Sequence, residues 1–372
     1  MKLELRKAAR ITLMTHHDLS GKVIELFTSL GISSILVENA RCVRQNVNPG
    51  LFGFSGLRFD FSDSASEIYR LTVSRETAAP LLCRLIEELD LKTPGRGAIY
   101  AQDLLEASFQ EFPAIKVEPA RSECLLNELT LITGIQTKSG GGENLYKVAL
   151  KLGAGVPVVG IGIGTGIRDR LGLLRITISP EKELVYLMVP GHDANGLQRL
   201  LIEEGHIDRP GGGFLYQTPI SGGIVDPLLR IGRQEHAASI EQIIAAIDDL
   251  KKSTAWRKRF FGVEDNAGNA GPANFTHREI SFFCHEGQGD NFVQAAMQAG
   301  AAGATMSRVR TLYLQGEDAG RHVSCEHGIL CVSDDMEMPV LQALGDITDT
   351  CPEKDWLLQS VPATSVFTYK RN

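Results

Sequence analysis

Aromatic side chains are scarce in this chain, where they make up 6% of the 372 residues. Such a chain is a weak candidate for stacking the bases of single-stranded nucleic acids. Positive charge is also in deficit, and a formal net charge of −7 argues against general binding to nucleic acids or anionic membranes. No apolar run approaches a membrane span, and the N-terminus lacks an apolar signal segment. We therefore expect a cytoplasmic protein that touches membranes only through a partner.

A cysteine framework is absent as well. The seven cysteines are an odd number and follow no regular spacing. Secreted disulfide scaffolds have paired, closely spaced cysteines. Reduced thiols in a cytoplasmic compartment are therefore the expectation.

An internal repeat is the most informative feature that is present. The phrase Pro94-Gly95-Arg96-Gly97 and the three residues after it recur as 210–216, which starts 116 residues later. Each copy closes a block with the order strand, helix, strand, loop, strand, helix and strand. A third block, ending at 361–369, keeps this order without the glycines. A period of this length indicates three similar domains rather than a solenoid.

The order β-α-β-β-α-β predicts an α+β fold made of three ferredoxin-like domains. The expected domains are 1–115, 122–226 and 277–372, with a linker at 227–276 that contains a helix. A ferredoxin-like sheet leaves one apolar face bare, and joining three copies in one chain would bury it in a pseudo-trimer. The protein is then expected to be a monomer, or a dimer of such pseudo-trimers.

Two long loops are expected after the second strand of the first and second blocks. They lie at about 46–66 and 164–180, and the second starts where a glycine-rich strand ends. The linker helix is expected at about 239–260, followed by linker-type composition at 266–272.

The motifs resemble the PII nitrogen-regulatory family and its PII-like relatives. The middle block carries most of them: a glycine-rich turn at 139–142, Gly162 to Gly166 after the second strand, and Pro210 to Gly213 before the fourth. The first block shares the Pro94 to Gly97 phrase, and the third shares 286–290 before its first helix. The family's arginine-rich segment after the last strand has no counterpart here.

The resemblance implies a non-catalytic sensor that binds a small anion, such as ATP or ADP, in clefts between domains and requires no cofactor. It also implies an unknown regulated protein, a transporter or an enzyme, as partner, contacted through the long loops. Successive glycine amides without Cβ atoms can converge on an anion. The ligand-binding candidates are Gly95, Arg96, Gly97, Gly162, Gly164, Gly166, Arg209, Gly211, Gly212 and Gly213.

Three alternatives remain open. A metal site would use the third block, where the candidates are Cys284, Cys325, His327 and Cys331. An enzyme would use His16, His17 and Asp18, although Asp18 is better explained as a helix N-cap. A structural interaction module without ligand would use the glycines as turns and the linker helix as a docking arm.

Overall fold

The computed structural model describes residues 3–48, 58–108, 111–115, 117, 125–137, 141–151, 155–166, 181–209, 212–226, 230–231, 276–349, 351 and 355–368. These residues contain fifteen strands and six helices. The strands form one large, mostly antiparallel sheet, which confirms the α+β class. No helix in the described ranges is long and apolar enough to cross a membrane.

The chain is described here as three blocks, at 1–115, 122–226 and 277–372. The first contains β1 Arg6–His16, α1 Ser20–Ser29, β2 Ser34–Asn48, β3 Arg58–Val73, α2 Arg75–Glu88 and β4 Gly97–Ser108. The second contains β5 Leu129–Thr137, α3 Gly141–Lys151, β6 Val158–Gly166, β7 Glu181–Pro190, α4 Gly191–Glu204, β8 Phe214–Ile220 and β9 Gly222–Ile224, followed by the short β10 Arg230–Ile231. The third contains β11 His277–His285, α5 Gly289–Gln298, β12 Gly303–Tyr313, β13 His322–Ser333, α6 Glu337–Thr348, β14 Leu357–Ala363 and β15 Ser365–Thr368.

Local sequence explains how the helices begin. The Ser74 side chain caps α2 by accepting the Thr77 N–H at 3.4 Å. Asp18 does not cap α1, contrary to expectation. A 3-10 turn at His17–Leu19 precedes that helix, and the His16 side chain accepts the Asp18 N–H instead.

In the described residues, parts of both predicted loops are strand. Strands β2 and β3 pair as far as Asn48 and Arg58, so most of 46–66 is strand. Strand β6 continues to Gly166, because Gly162, Gly164 and Gly166 pair with β12. The rest of the second loop, 167–180, and the expected linker helix lie outside the described residues.

The same strand order occurs in each block. It is β2-β3-β1-β4 in the first, β6-β7-β5-β8 in the second and β12-β13-β11-β14 in the third, with antiparallel neighbours throughout. The first strand of each block therefore lies between its third and fourth strands. Residues of different blocks correspond when they occupy the same place in these strand pairings.

The second strands join the blocks cyclically. Strand β2 pairs with β6, β6 with β12, and β12 with β2, all antiparallel. Corresponding residues occupy corresponding places in these contacts. The pairs are Arg41 with Val159, Ile163 with Met306, and Arg310 with Val37. Each block therefore makes the same contact with the next one.

The last strands join the blocks a second time. The end of β4 pairs with β14, β9 pairs with β4, and β15 pairs with β8. Each block thus ends by adding chain to the final strand of another. The blocks cannot separate without breaking backbone hydrogen bonds at both ends of their sheets.

The two faces of the sheet differ in character. The six helices cover the outer face and form three apolar cores, one in each block. In the first block this core includes Ile11, Leu13, Phe27 and Leu85, none of which is exposed. The inner face carries a buried apolar cluster as well, which includes Met14, Tyr100 and Tyr186, together with buried polar and charged side chains.

Arg10 occupies the centre of this inner face. Its Nη2 donates to Glu279 Oε1 of the third block and to Gln102 Oε1, both at 2.8 Å, and its Nη1 donates to Ser281 Oγ at 3.2 Å. Gln102 Nε2 in turn donates to Thr218 Oγ1 of the second block at 2.8 Å. Arg10 and Glu279 are only 5% and 4% exposed. One buried network therefore connects all three blocks.

Removing one partner of this pair should be costly, because a buried charge would lose its counter-charge. We expect Arg10→Met to lower the free energy of unfolding by about 3–5 kcal/mol in urea denaturation. Arg10→Met with Glu279→Leu should lose less, since no unpaired charge remains. Arg84→Met, which removes an exposed pair with Glu88 on α2, is the control and should change stability by less than about 1 kcal/mol. A double variant no more stable than the single one would contradict this account.

Candidate functional site

The first glycine turn lies at the boundary between the first and second blocks. Gly95 and Gly97 have positive φ angles of 88° and 140°. A Cβ on Gly97 would collide with the carbonyl oxygen of Met14, so no larger residue fits there. The Gly95 N–H donates to Asp226 Oδ1 of the second block at 2.9 Å. A carboxylate of the chain itself therefore occupies this turn.

The side chain of Arg96 does not face this cleft as a free phosphate partner. Its Nε donates to the Leu89 carbonyl at 2.8 Å, which ties the turn to the end of α2. The Arg96 carbonyl accepts the Thr15 hydroxyl at 2.6 Å. Arg96 thus stabilises the turn from both its side chain and its backbone.

The second glycine turn is built in the same way. Gly213 has φ 119°, and a Cβ there would lie 2.5 Å from the Ile135 carbonyl oxygen. A Cβ on Gly212 would collide with the His206 carbonyl. Gln136, which corresponds to Thr15, donates to the Gly212 carbonyl at 2.9 Å. Arg209 is exposed beside this turn, and Gly211 lies outside the described residues.

The remaining glycine candidates lie within strand β6. A Cβ on Gly162 would lie 2.9 Å from the Met306 carbonyl oxygen of β12, and one on Gly164 would lie 2.6 Å from Lys182 Cε. These glycines allow β6 to pass closely between β7 and β12. The missing side chain of Gly162 serves the contact between the second and third blocks, whereas that of Gly164 makes room for Lys182 of its own block.

The third block has Trp356 where the other two have glycine. Ala98, Phe214 and Leu357 are paired with corresponding residues of the first strands, and the residues before them are Gly97, Gly213 and Trp356. Trp356 contributes to a cleft of about 100 Å³ between the third and first blocks. The cleft at Gly97 has only about 10 Å³. Since one water needs roughly 10–15 Å³, the Trp356 cleft is the one of these two that has room for a small molecule.

Both polar and apolar groups line the Trp356 cleft. Its charged members include Arg6, Arg10, Arg70, Glu106, Glu111 and Asp355, and its apolar members include Leu36, Phe112, Phe283 and Trp356. Arg6 Nη2 donates to Glu106 Oε1 at 2.8 Å, and its guanidinium lies 3.8 Å from the centre of the Phe112 ring. The hydroxyls of Ser33, Ser34, Ser108 and Thr311 are further possible donors or acceptors.

A glutamate recurs in the third strand of every block, opposite the second-to-last residue of the first strand, and the sequence analysis missed it. Glu67, Glu183 and Glu326 pair with Thr15, Gln136 and Cys284, which correspond to one another. Each glutamate lies against the beginning of its block's first helix. The sequence contained a signal for it. Each glutamate begins a mostly apolar stretch with a valine six residues later, at Val73, Val189 and Val332.

Each glutamate contacts the start of its block's first helix in a different way. Glu67 accepts the hydroxyl of Ser20, the first residue of α1. Glu326 accepts the N–H groups of Gly287 and Gly289 at 3.1 and 2.7 Å. The side chain of Glu183 lies where a Cβ on Gly142 of α3 would be. A carboxylate at a helix N-terminus is favourable because the helix dipole is positive there.

Arginines from a neighbouring block contact two of these glutamates. Arg41 of the first block donates to Glu183 at 2.8 Å, and Arg310 of the third donates to Glu67. Burial acts to raise the pKa of Glu67, but hydrogen bonds from Ser20, Tyr69 and Arg310 outweigh it and hold the pKa below its usual value. Ile163 takes the corresponding place in the second block and is 49% exposed.

The metal candidates of the third block do not converge. Cys331 is paired with Glu279, and Cys284 lies five residues along the same strand, so the two thiols are on opposite faces of the sheet. Cys284 and Cys331 therefore do not approach each other, and no metal site can use both. Burial raises the pKa of both thiols, that of Cys331 to about 12, which disfavours the thiolate that binds metals. The described residues contain no group of three or more possible ligands.

One cysteine departs from the expectation of reduced thiols. Cys83 on α2 is disulfide-bonded, and its partner lies outside the described residues. Cys42, Cys284, Cys325, Cys331 and Cys351 form no disulfide.

His327, another metal candidate, is buried on the inner face of the sheet, near Arg10 and Arg70. Its ring stacks on Phe283 at 4.1 Å between centroids, and its Nε2 has no hydrogen-bond partner in the described part of the chain. Burial and the positive charges of Arg70 and Arg10 hold the pKa of His327 well below its usual value. The side chain is therefore neutral at pH 7.

Comparison with known proteins finds little similarity to this chain. No protein family matches the chain, and no curated protein is significantly similar to it. Among solved structures, it is similar to an aspartate kinase from Synechocystis at 9% identity and a TM-score of 0.20. The alignment covers 96% of this chain and 52% of the kinase, so the chain spans about half of that protein's length. This similarity is too weak to indicate a shared fold or function.

Acid should destabilise the fold through His327. When pH falls below about 6.5, the unfolded chain binds a proton that the folded histidine rejects, so stability present above this pH is progressively lost. We expect urea denaturation to show a decline of at most about 1.4 kcal/mol per pH unit from this residue between pH 6.5 and 5. His327→Phe should flatten the decline, whereas His322→Gln, at an exposed site, should not. Identical pH profiles for wild type and His327→Phe would contradict the assignment.

The glycine turns should be required for folding. We expect Gly212→Ala to lower the free energy of unfolding by about 1–3 kcal/mol in urea denaturation, since backbone atoms would have to move. Gly21→Ala is a matched control on α1, where nothing lies within 4 Å of the added Cβ. It should stabilise the protein by roughly 0.5–1 kcal/mol. Equal effects of the two substitutions would show that the Gly212 contact is unimportant.

Proposed function

We propose that this chain is a non-catalytic, PII-like regulatory protein that senses a small anionic molecule. Its three blocks are ferredoxin-like domains, at 1–115, 122–226 and 277–372, arranged as a pseudo-trimer within one chain. The common strand order and the two cyclic sets of strand pairings support this arrangement. The segment 227–276 links the second and third domains.

The ligand site is proposed in the Trp356 cleft, and the observation that carries the proposal is its combination of space with arginines. Arg6 and Arg70 can contribute charge-assisted hydrogen bonds to a carboxylate or a similar oxyanion. Both are already paired, with Glu106 and Glu38 at 2.8 and 2.6 Å, so the ligand would share these cations rather than neutralise them. A volume of about 100 Å³ favours a small anion over an adenine nucleotide.

Regulation would act through the segment that follows β4. Glu111, Phe112 and Pro113 belong to that segment and line the cleft. Phe112 is held there by its contact with Arg6. A ligand that draws the Arg6 guanidinium toward itself would weaken this contact, and would thereby change the order of a surface that a partner protein can read.

A panel of candidate ligands tests the proposal. We expect bicarbonate or 2-oxoglutarate at millimolar concentration to raise the melting temperature, because a ligand that binds only the folded state stabilises it. ATP, ADP and AMP are expected to have no such effect at this cleft. Calorimetry on Arg6→Gln should show at least tenfold weaker binding of the active compound, while Arg84→Gln on the exposed face of α2 should bind as wild type. Full affinity in Arg6→Gln would reject this site.

A second candidate function is a structural interaction module without ligand. The glycine contacts favour it, since backbone approach alone explains Gly97, Gly212 and Gly213. The same panel separates the two. If no anion or nucleotide changes the melting temperature, the module is the better account.

A further inference from the structure

We infer that Asp226 is an internal ligand of the first glycine turn: its carboxylate occupies the place of a small oxyanion and keeps the cleft between the first and second blocks closed. The inference rests on the proposed function only in treating a glycine turn between domains as an anion-binding element. The Trp356 cleft is a separate site between other blocks.

The position of Asp226 is fixed by the second block. The residue follows β9, which pairs with β4 beside the turn, and its carbonyl accepts the Val156 N–H at 3.3 Å. Its side chain reaches the first block, where Oδ1 accepts the Gly95 N–H at 2.9 Å. With 4% of its surface exposed, Asp226 is a buried charge held against a backbone donor.

Arg44 provides the cationic half of the site. Its Nη2 donates to the Gly95 carbonyl at 2.8 Å, so the guanidinium lies at the same residue whose N–H binds Asp226. Within the described residues, Arg44 Nε has no hydrogen-bond partner although it is buried. Arg44 and Asp226 line the same cleft. An oxyanion in place of the carboxylate would therefore meet one amide donor and a guanidinium with a spare N–H.

The available space explains why Asp226 excludes other anions. The cleft has about 10 Å³ left, room for at most one water. Truncating Asp226 to alanine removes a carboxylate from beside the Gly95 N–H, in a cleft that Arg44 also lines. A small carboxylate from solution is thus the ligand that the truncated protein should accept.

Chemical rescue by acetate tests this inference. Asp226→Ala should be less stable than wild type, and sodium acetate should raise its melting temperature by about 2–4 °C over sodium chloride at equal ionic strength, once acetate is about tenfold above its Kd. Wild type, Asp226→Asn, which keeps the turn filled, and Asp335→Ala, at an exposed site, should show no acetate-specific rise. Arg44→Gln combined with Asp226→Ala should lose the rescue. If Asp226→Ala does not fold, Asp226→Ser carries the same expectation.

Equal acetate effects in wild type and Asp226→Ala would overturn the inference, as would rescue that persists without Arg44 or a folded Asp226→Ala that acetate leaves unchanged. These outcomes are distinct from failure of the proposed function. Rescue at Asp226 can succeed even if no ligand binds the wild-type Trp356 cleft, and binding there can succeed without it.

Discussion

The ion pair between Arg10 and Glu279 is the constraint on which the rest of the assembly depends. It lies where the inner faces of the blocks meet, and it is buried. The residue at the corresponding position of the second block is Leu131, four residues before Ile135 as Arg10 is four before Met14. Three identical subunits would place three arginines or three glutamates at this point. A neutral, paired centre is possible because the three copies are joined in one chain and have diverged.

The same divergence makes the clefts between blocks unequal. Where Gly97 stands, the neighbouring block brings Asp226 into the turn and little space remains. Where Trp356 stands, about 100 Å³ remains beside Arg6. The loss of the glycines in the third block coincides with the roomier cleft, so absence of the glycine motif does not mean absence of space for a ligand.

The element order was predictable because periodic apolar segments and glycine turns are local signals. Strand β1, helix α2 and the turn at Gly97 all follow from residues close in sequence. The clefts were not predictable, since their character depends on contacts such as Asp226 with Gly95, between residues 131 positions apart. Gly164 and Gly166 show the same limit: they were predicted to lie in a loop, but pairing with β12 from another block makes them part of a strand.

The recurrent glutamates make two kinds of contact, one within their own block and one with a neighbouring block, and the two kinds differ in how often they occur. Glu67, Glu183 and Glu326 are kept in all three blocks, and each serves the first helix of its own block, a need that every copy has regardless of its neighbours. Arg41 and Arg310 serve the glutamate of another block, and in the second block Ile163 stands in their place. An interaction that each block requires to fold is retained three times. One that only holds neighbours together can be lost at one boundary, here that between the second and third blocks, because the pairing of β6 with β12 and of β8 with β15 already joins these blocks.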